Sequence, residues 1–139
     1  MLLTLKFIIM KNKITLIAIT MFMLCFSTKA GIPVPPDIKA HPTTFTVFEG
    51  STKEVLILMT PNEGFTFANL KFKTSGDTAK VEIKEGNLDN NNNVKHFFVK
   101  GLERGTYRIT ITVEGDQREN STGWLTSFES DVVLTITVI

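Results

Sequence analysis

The chain has 139 residues, of which 42% are hydrophobic and 21% charged, with one cysteine and two histidines. The first thirty residues hold four of the 15 basic residues and none of the 14 acidic ones, so the remainder has a net charge of −3. Because binding of a phosphate backbone needs a surplus of lysine and arginine, this charge argues against nucleic acid as a partner. The remaining 109 residues suffice for one domain, and without a cysteine they must fold on their core alone.

Residues 1–30 are predicted to form a signal peptide that is cleaved on export. A basic start at residues 10–13 precedes an apolar stretch at residues 14–26, which is too short to span a bilayer. Thr28 and Ala30 then supply the small residues that a signal peptidase requires. The mature protein is therefore expected in the periplasm, outside the cell or at its surface, with no membrane span.

Residues 31–42 are predicted to form an extended, proline-rich leader, because proline fixes φ and removes a backbone donor. Residues 43–139 are predicted to form one domain of seven short β-strands separated by turn residues. The predicted strands are residues 43–48, 53–59, 67–74, 79–84, 94–100, 106–113 and 131–139. No helical period interrupts them.

Two of these strands have informative patterns. The second is almost continuously apolar from Val55 to Met59, which predicts a strand buried on both faces. The sixth alternates strictly, so that one face carries Tyr107, Ile109, Ile111 and Val113. The segment between the sixth and seventh strands, residues 114–130, is predicted to be a long connection.

The order and spacing of the strands predict an all-β fold, a seven-stranded antiparallel immunoglobulin-like (Ig-like) β-sandwich. Tyr107, the only tyrosine, follows a glycine turn at the start of the sixth strand. Ig-like sandwiches place a structural tyrosine corner at this position, with its hydroxyl bonded to upstream backbone. Without the cysteine pair of antibody domains, the chain resembles the disulfide-free Ig-like domains of bacterial surface proteins.

Residues for catalysis or cofactor binding do not form a recognisable pattern. His41 and His96 are far apart in sequence and lack the carboxylate spacing of a metal site. There is neither a nucleophile elbow nor a phosphate-binding glycine loop. Residues 89–93 lack the glycine and closing glutamate of a calcium loop and are predicted to be a solvated turn. We therefore expect no enzyme activity, no cofactor and no metal.

Two connections carry candidate binding residues. Pro61, Asn62, Glu63, Gly64 and Phe65 lie in the turn between the second and third strands, where Gly64 permits a positive φ. Loops that a rigid scaffold positions are common sites of binding.

The second connection holds Trp124, with Leu125 and Phe128 close by in sequence. An exposed aromatic residue on a loop is a typical binding anchor. The alternative is that these three side chains fold back over the core or form an eighth strand, because a long ordered loop usually buries something of its own.

The segment Thr60-Pro61-Asn62-Glu63-Gly64-Phe65 also resembles a motif of chagasin-type inhibitors of papain-like cysteine peptidases. Members of that family insert three neighbouring loops into the peptidase cleft, and the first carries Asn-Pro-Thr-Thr-Gly and an aromatic residue. Pro61, Gly64 and Phe65 match this motif, whereas Thr60, Asn62 and Glu63 depart from it. The third loop of the family uses Arg-Pro-Trp, which has no counterpart at residues 115–118.

The sequence therefore favours an exported, non-enzymatic Ig-like domain that binds a protein or surface ligand, as adhesion-type modules do. The resemblance supports an alternative, an inhibitor whose partner is a cysteine peptidase. A second alternative is a periplasmic subunit of a larger envelope assembly.

Overall fold

The computed structural model describes residues 34–139. The predicted signal peptide and the first three residues of the predicted leader lie outside this part of the chain. Eight β-strands follow one another, and the described residues contain no helix that is long and apolar enough to cross a membrane. The strands are β1 (Asp37–His41), β2 (Thr44–Val47), β3 (Thr52–Thr60), β4 (Phe65–Gly76), β5 (Val81–Asp89), β6 (Val94–Gly101), β7 (Gly105–Glu119) and β8 (Leu125–Val138).

The strands form two four-stranded sheets. The first sheet has the order β1-β3-β6-β5, and the second has the order β2-β8-β7-β4. All neighbours are antiparallel except β2 and β8, which are parallel. Apart from β2, this is the strand order of the constant-type Ig sandwich, so the all-β, Ig-like expectation is confirmed at the level of architecture.

The predicted number of seven strands is wrong, because β1 lies within the predicted leader. β1 pairs with β3 along its whole length, from Asp37 opposite Thr60 to His41 opposite Leu56. Ala40 is buried and Ile38 packs against the core, so the short strand covers one edge of the sandwich. The first run of prolines ends at residue 36 and the next proline is Pro42, so the backbone donors of residues 37–41 are free to join a sheet.

The core lies between the inner faces of the two sheets. It contains Val55 and Ile57 of β3, Phe97 and Val99 of β6, and a larger set from the second sheet. That set comprises Phe45, Val47, Ile109, Ile111, Val113, Val132, Leu134, Ile136 and Val138. The predicted alternation of β7 is therefore confirmed, with Ile109, Ile111 and Val113 fully buried.

The prediction that β3 is buried on both faces is wrong. Val55, Ile57 and Met59 point into the core, whereas Leu58 on the opposite face is 40% exposed. A strand that is apolar on both faces has the same sequence pattern whether its outer face is covered or meets water. Periodicity alone therefore could not reveal the exposure of Leu58.

The predicted long connection at residues 114–130 is also wrong. β7 continues to Glu119, β8 begins at Leu125, and these extensions pair with each other from Glu114 opposite Glu129 to Arg118 opposite Leu125. The sequence hides this extension because its apolar alternation stops at Val113, after which Gly115 and Gln117 occupy the inward positions.

Tyr107 makes the hydrogen bond that a tyrosine corner requires. Its hydroxyl donates to the carbonyl oxygen of Arg104 at 2.9 Å, three residues upstream. Gly105 lies beneath the ring, and a Cβ atom at this position would be 2.7 Å from the tyrosine hydroxyl. The absence of a side chain at Gly105 therefore leaves room for the ring of Tyr107 at the start of β7.

Candidate functional site

Three turns meet at one end of the sandwich: the β3–β4 turn (residues 61–64), the β5–β6 turn (residues 90–93) and the β7–β8 turn (residues 120–124). We call this surface the loop end. The amide of Asn120 donates to the carbonyl of Gly64 at 2.9 Å, which joins the β7–β8 turn to the β3–β4 turn. The amide of Met59 donates to the carbonyl of Asn93 at 3.0 Å, which joins β3 to the β5–β6 turn.

The β3–β4 turn is a tight reversal. The amide of Phe65 donates to the carbonyl of Asn62 at 3.0 Å, and Gly64 has φ of +81°. A positive φ at the third residue of such a turn is typical of type II, which favours glycine there. Glu63 and Gly64 are exposed at the tip, whereas Pro61, Asn62 and Phe65 are half-buried.

Gln117 of β7 supports this turn from below. Its side chain is only 2% exposed, and its Oε1 accepts from the amide of Asn62 at 2.9 Å. Its Nε2 donates to the carbonyl of Val34 at 3.1 Å, and that carbonyl also accepts from Nδ2 of Asn62 at 2.6 Å. One buried amide therefore ties the start of the domain to the β3–β4 turn.

Trp124 lies in the β7–β8 turn and is 78% exposed. The backbone around it is well held: the amide of Glu119 donates to the carbonyl of Trp124 at 2.9 Å, and the amide of Gly123 donates to the carbonyl of Glu119 at 2.8 Å. A fixed backbone with a large apolar side chain in solvent is the arrangement of a pre-organised binding anchor. Leu125, next to it, is exposed as well.

The β5–β6 turn borders an uncharged groove of about 450 Å³ beside the edge strand β4. The groove is lined by Pro61, Phe67 and three asparagine side chains of the turn, Asn90, Asn91 and Asn93, among others. Asparagine offers both a donor and an acceptor, so the lining of this groove can form hydrogen bonds with polar groups of a partner.

Two carboxyl groups near these turns have perturbed pKa values. The side chain of Asn92 donates to Asp89 at 2.8 Å and, together with backbone amides of the turn, lowers the pKa of Asp89. The side chains of Asn69 and Ser127, at 2.7 Å each, lower the pKa of Asp116. In both cases the hydrogen bonds favour the charged form.

We expect the variant Asp116→Asn to be less stable than the wild type at neutral pH, because these bonds to a charged acceptor weaken. A lowered folded pKa contributes stability that is fully present above the ordinary value of 3.8 and is lost as pH falls through the folded pKa. The difference between variant and wild type should therefore shrink in acid. Urea unfolding at a series of pH values measures it, and a difference independent of pH would contradict this account.

The structure places the predicted site residues Pro61, Asn62, Glu63, Gly64 and Phe65 at the same end as Trp124. The two residues near Trp124 fit the alternative prediction, in which this segment packs on the core or forms a strand. Leu125 begins β8, and Phe128 lies against Phe67 with ring centroids 5.6 Å apart. The sequence reasoning missed Gln117. The signal was a polar residue at an inward position, four residues beyond Val113 in a strand of period two.

The two histidines lie on the outer face of the first sheet, away from the loop end. Nδ1 of His96 lies 2.7 Å from Oε1 of Glu54. Between residues 34 and 139, no cluster of three or more histidine, cysteine or acidic side chains has the geometry to hold a metal ion.

The fold has counterparts among solved structures. Domains 4 and 5 of the S-layer protein SbsC match with 17% sequence identity and a TM-score of 0.53, covering 77% of this chain and 46% of that one. Domains 5 and 6 of SbsC match with 17% identity and a TM-score of 0.50, covering 75% of this chain and 45% of that one. The chain therefore spans less than half the length of these structures, and at this identity the likeness concerns the fold alone.

No protein-family model matches the sequence, and no curated protein matches it either.

Proposed function

We propose that this protein is an exported, non-enzymatic Ig-like binding domain that contacts a protein partner through its loop end. The observation that carries the proposal is the 78% exposure of Trp124 on a turn whose backbone is fixed by hydrogen bonds. Tryptophan is enriched among the residues that dominate binding energy at protein interfaces. Its exposure in the unbound domain leaves a large apolar side chain for a partner to bury.

The surroundings of Trp124 support a protein partner. Exposed Leu125 extends the apolar contact, and the loop end carries charges of both signs, with exposed Arg118 opposite Leu125 and exposed Glu63 in the adjoining β3–β4 turn. An apolar centre with a polar rim is the usual composition of a protein interface. The predicted signal peptide favours a partner outside the cytoplasm, and the occurrence of a similar fold in an S-layer protein is compatible with a surface setting.

Replacing Trp124 with alanine is expected to weaken partner binding by at least about tenfold while leaving the free energy of unfolding nearly unchanged, because the side chain packs on little in the free domain. The matched control is Phe48→Ala, an exposed aromatic in the β2–β3 turn at the opposite end of the sandwich. Capture from an envelope extract by immobilised wild type and both variants, followed by titration of the captured protein, measures the effect. Equal binding of the partner by the wild type and both variants would contradict the proposal.

A second candidate is inhibition of papain-like cysteine peptidases. The observation in its favour is that the β3–β4, β5–β6 and β7–β8 turns lie side by side, as three neighbouring inhibitory loops must. Against it, the exposed Glu63 would have to lose water inside a peptidase cleft. Titration of papain with the purified protein tests this candidate: tight inhibition that Trp124→Ala removes would support it, and full peptidase activity at saturating protein would eliminate it.

A further inference from the structure

The outer face of the first sheet carries an apolar patch at its centre. Leu58 is 40% exposed and Phe98 is 39% exposed, and the half-buried Leu56 and Val94 lie between them on the same face. The strand register makes these residues neighbours, since Leu58 is opposite Val94 and Leu56 is opposite His96. A sheet face that meets water normally carries polar residues at such positions.

The neighbouring strand β5 widens this patch. Gly86 lies beside Phe98, and a Cβ atom at Gly86 would be 2.7 Å from Cε2 of the phenylalanine ring. The absence of a side chain therefore lets the ring lie over β5 rather than stand up from the sheet. The patch becomes flatter, as face-to-face packing of sheets requires.

Charged residues of both signs surround the patch, and one polar pair, His96 with Glu54 at 2.7 Å, lies within it. One row across the sheet runs from Lys39 of β1 through Leu58 and Val94 to Asp89 of β5. In a second row Lys84 of β5 lies opposite Phe98, and in a third row Glu82 of β5 lies opposite Lys100. In the first row a lysine at one edge and an aspartate at the other make the face complementary to a copy of itself; in the single chain this lysine, Lys39, pairs with Asp37 at 2.6 Å.

We propose that this outer face is the interface of a homodimer, in which two copies pack face to face about a twofold axis parallel to the strands. Such an axis reverses the order of strands, so that β1 of one copy lies over β5 of the other and β3 lies over β6. Lys39 then faces Asp89 of the second copy, twice by symmetry, and Leu58 faces Val94. The rotation of about 30° between packed sheets shifts the outer strands by roughly one residue, which the long lysine side chain spans.

The dimer has a consequence for the loop end. Because the axis is parallel to the strands, both loop ends point in the same direction, and two Trp124 side chains are presented to one side. A partner arranged in a lattice or on a surface would meet two binding sites at once, and the second contact would form at high effective concentration. This consequence depends on the proposed function, whereas the dimer itself does not.

Sedimentation velocity of the purified protein over a wide range of concentration tests the dimer. We expect the wild type to sediment as a dimer at high concentration, and Leu58→Lys and Phe98→Lys each to raise its Kd at least about tenfold. The matched control is Val133→Lys, which is 40% exposed on the outer face of the second sheet and should leave the Kd unchanged.

The charge pairing has its own readout. Lys39→Glu should raise the Kd of the dimer and reduce its dependence on salt, because two attractive pairs become repulsive. Far-UV circular dichroism of each variant separates loss of the dimer from loss of the fold. A wild type that is monomeric at every concentration, or dissociation by Val133→Lys equal to that by Phe98→Lys, would overturn the proposal.

Discussion

Replacing Phe97 with alanine is expected to lower the free energy of unfolding by about 3–5 kcal/mol, the range observed for large aromatic residues removed from packed cores. Phe97 is fully buried on β6 and meets Phe72 of the other sheet edge-on, with ring centroids 5.9 Å apart. It also lies beneath Nζ of Lys95, which is 5.8 Å from its ring centroid and 3.1 Å from Oε2 of Glu85. The truncation would remove apolar contacts and loosen the site of a largely buried cation.

Urea unfolding of the variant measures this loss, which is a large part of the stability of a domain of this size, about 5–15 kcal/mol. Phe48→Ala is the control, because it removes the same side chain from an exposed turn and should change stability by less than about 0.5 kcal/mol. Equal losses in the two variants would contradict the position of the core.

Replacing Gln117 with leucine is expected to lower the free energy of unfolding by about 1–3 kcal/mol. The substitution leaves the amide of Asn62 without its acceptor, and an unsatisfied donor costs roughly 1–3 kcal/mol. The carbonyl of Val34 belongs to an exposed residue and keeps its bond from Nδ2 of Asn62, so the loss of its second donor adds little.

The same substitution should free the β3–β4 turn locally. Hydrogen exchange of the Asn62 amide is expected to accelerate more than exchange in the centre of β7, because local opening no longer breaks a buried hydrogen bond. Arg118→Ala, at the next and exposed position, is the control and should change neither stability nor exchange appreciably. If Gln117→Leu matched wild-type stability, the buried amide would not hold the loop end.

The architecture was accessible from the sequence because alternation is strong where one face is buried. Ile109, Ile111 and Val113 identify β7 and its inner face without any structure. The same rule failed for the part of the β7–β8 hairpin nearest its turn, where Gly115 and Gln117 take inward positions and give no apolar period. Short β1 was missed because it follows a run of prolines and its pairing depends on β3, which is distant in sequence.

The loop end was predictable in part. The glycine of the β3–β4 turn and its reversal followed from local turn chemistry, and the observed φ of Gly64 agrees with it. The exposure of Trp124 was not predictable, because the length of its connection depended on where β7 and β8 ended. Once these strands extend to Glu119 and Leu125, only a short turn remains and cannot fold back over the core.

The most direct test of the central claim uses Trp124 as its own reporter, since it is the only tryptophan in the chain. Quenching of its fluorescence by acrylamide is measured in the free protein and again at saturating concentrations of the captured partner. The account predicts efficient quenching in the free protein and strong protection in the complex, because the partner buries the indole ring. A tryptophan that is protected in the free protein, or equally accessible in the complex, would contradict the assignment of the loop end as the binding surface.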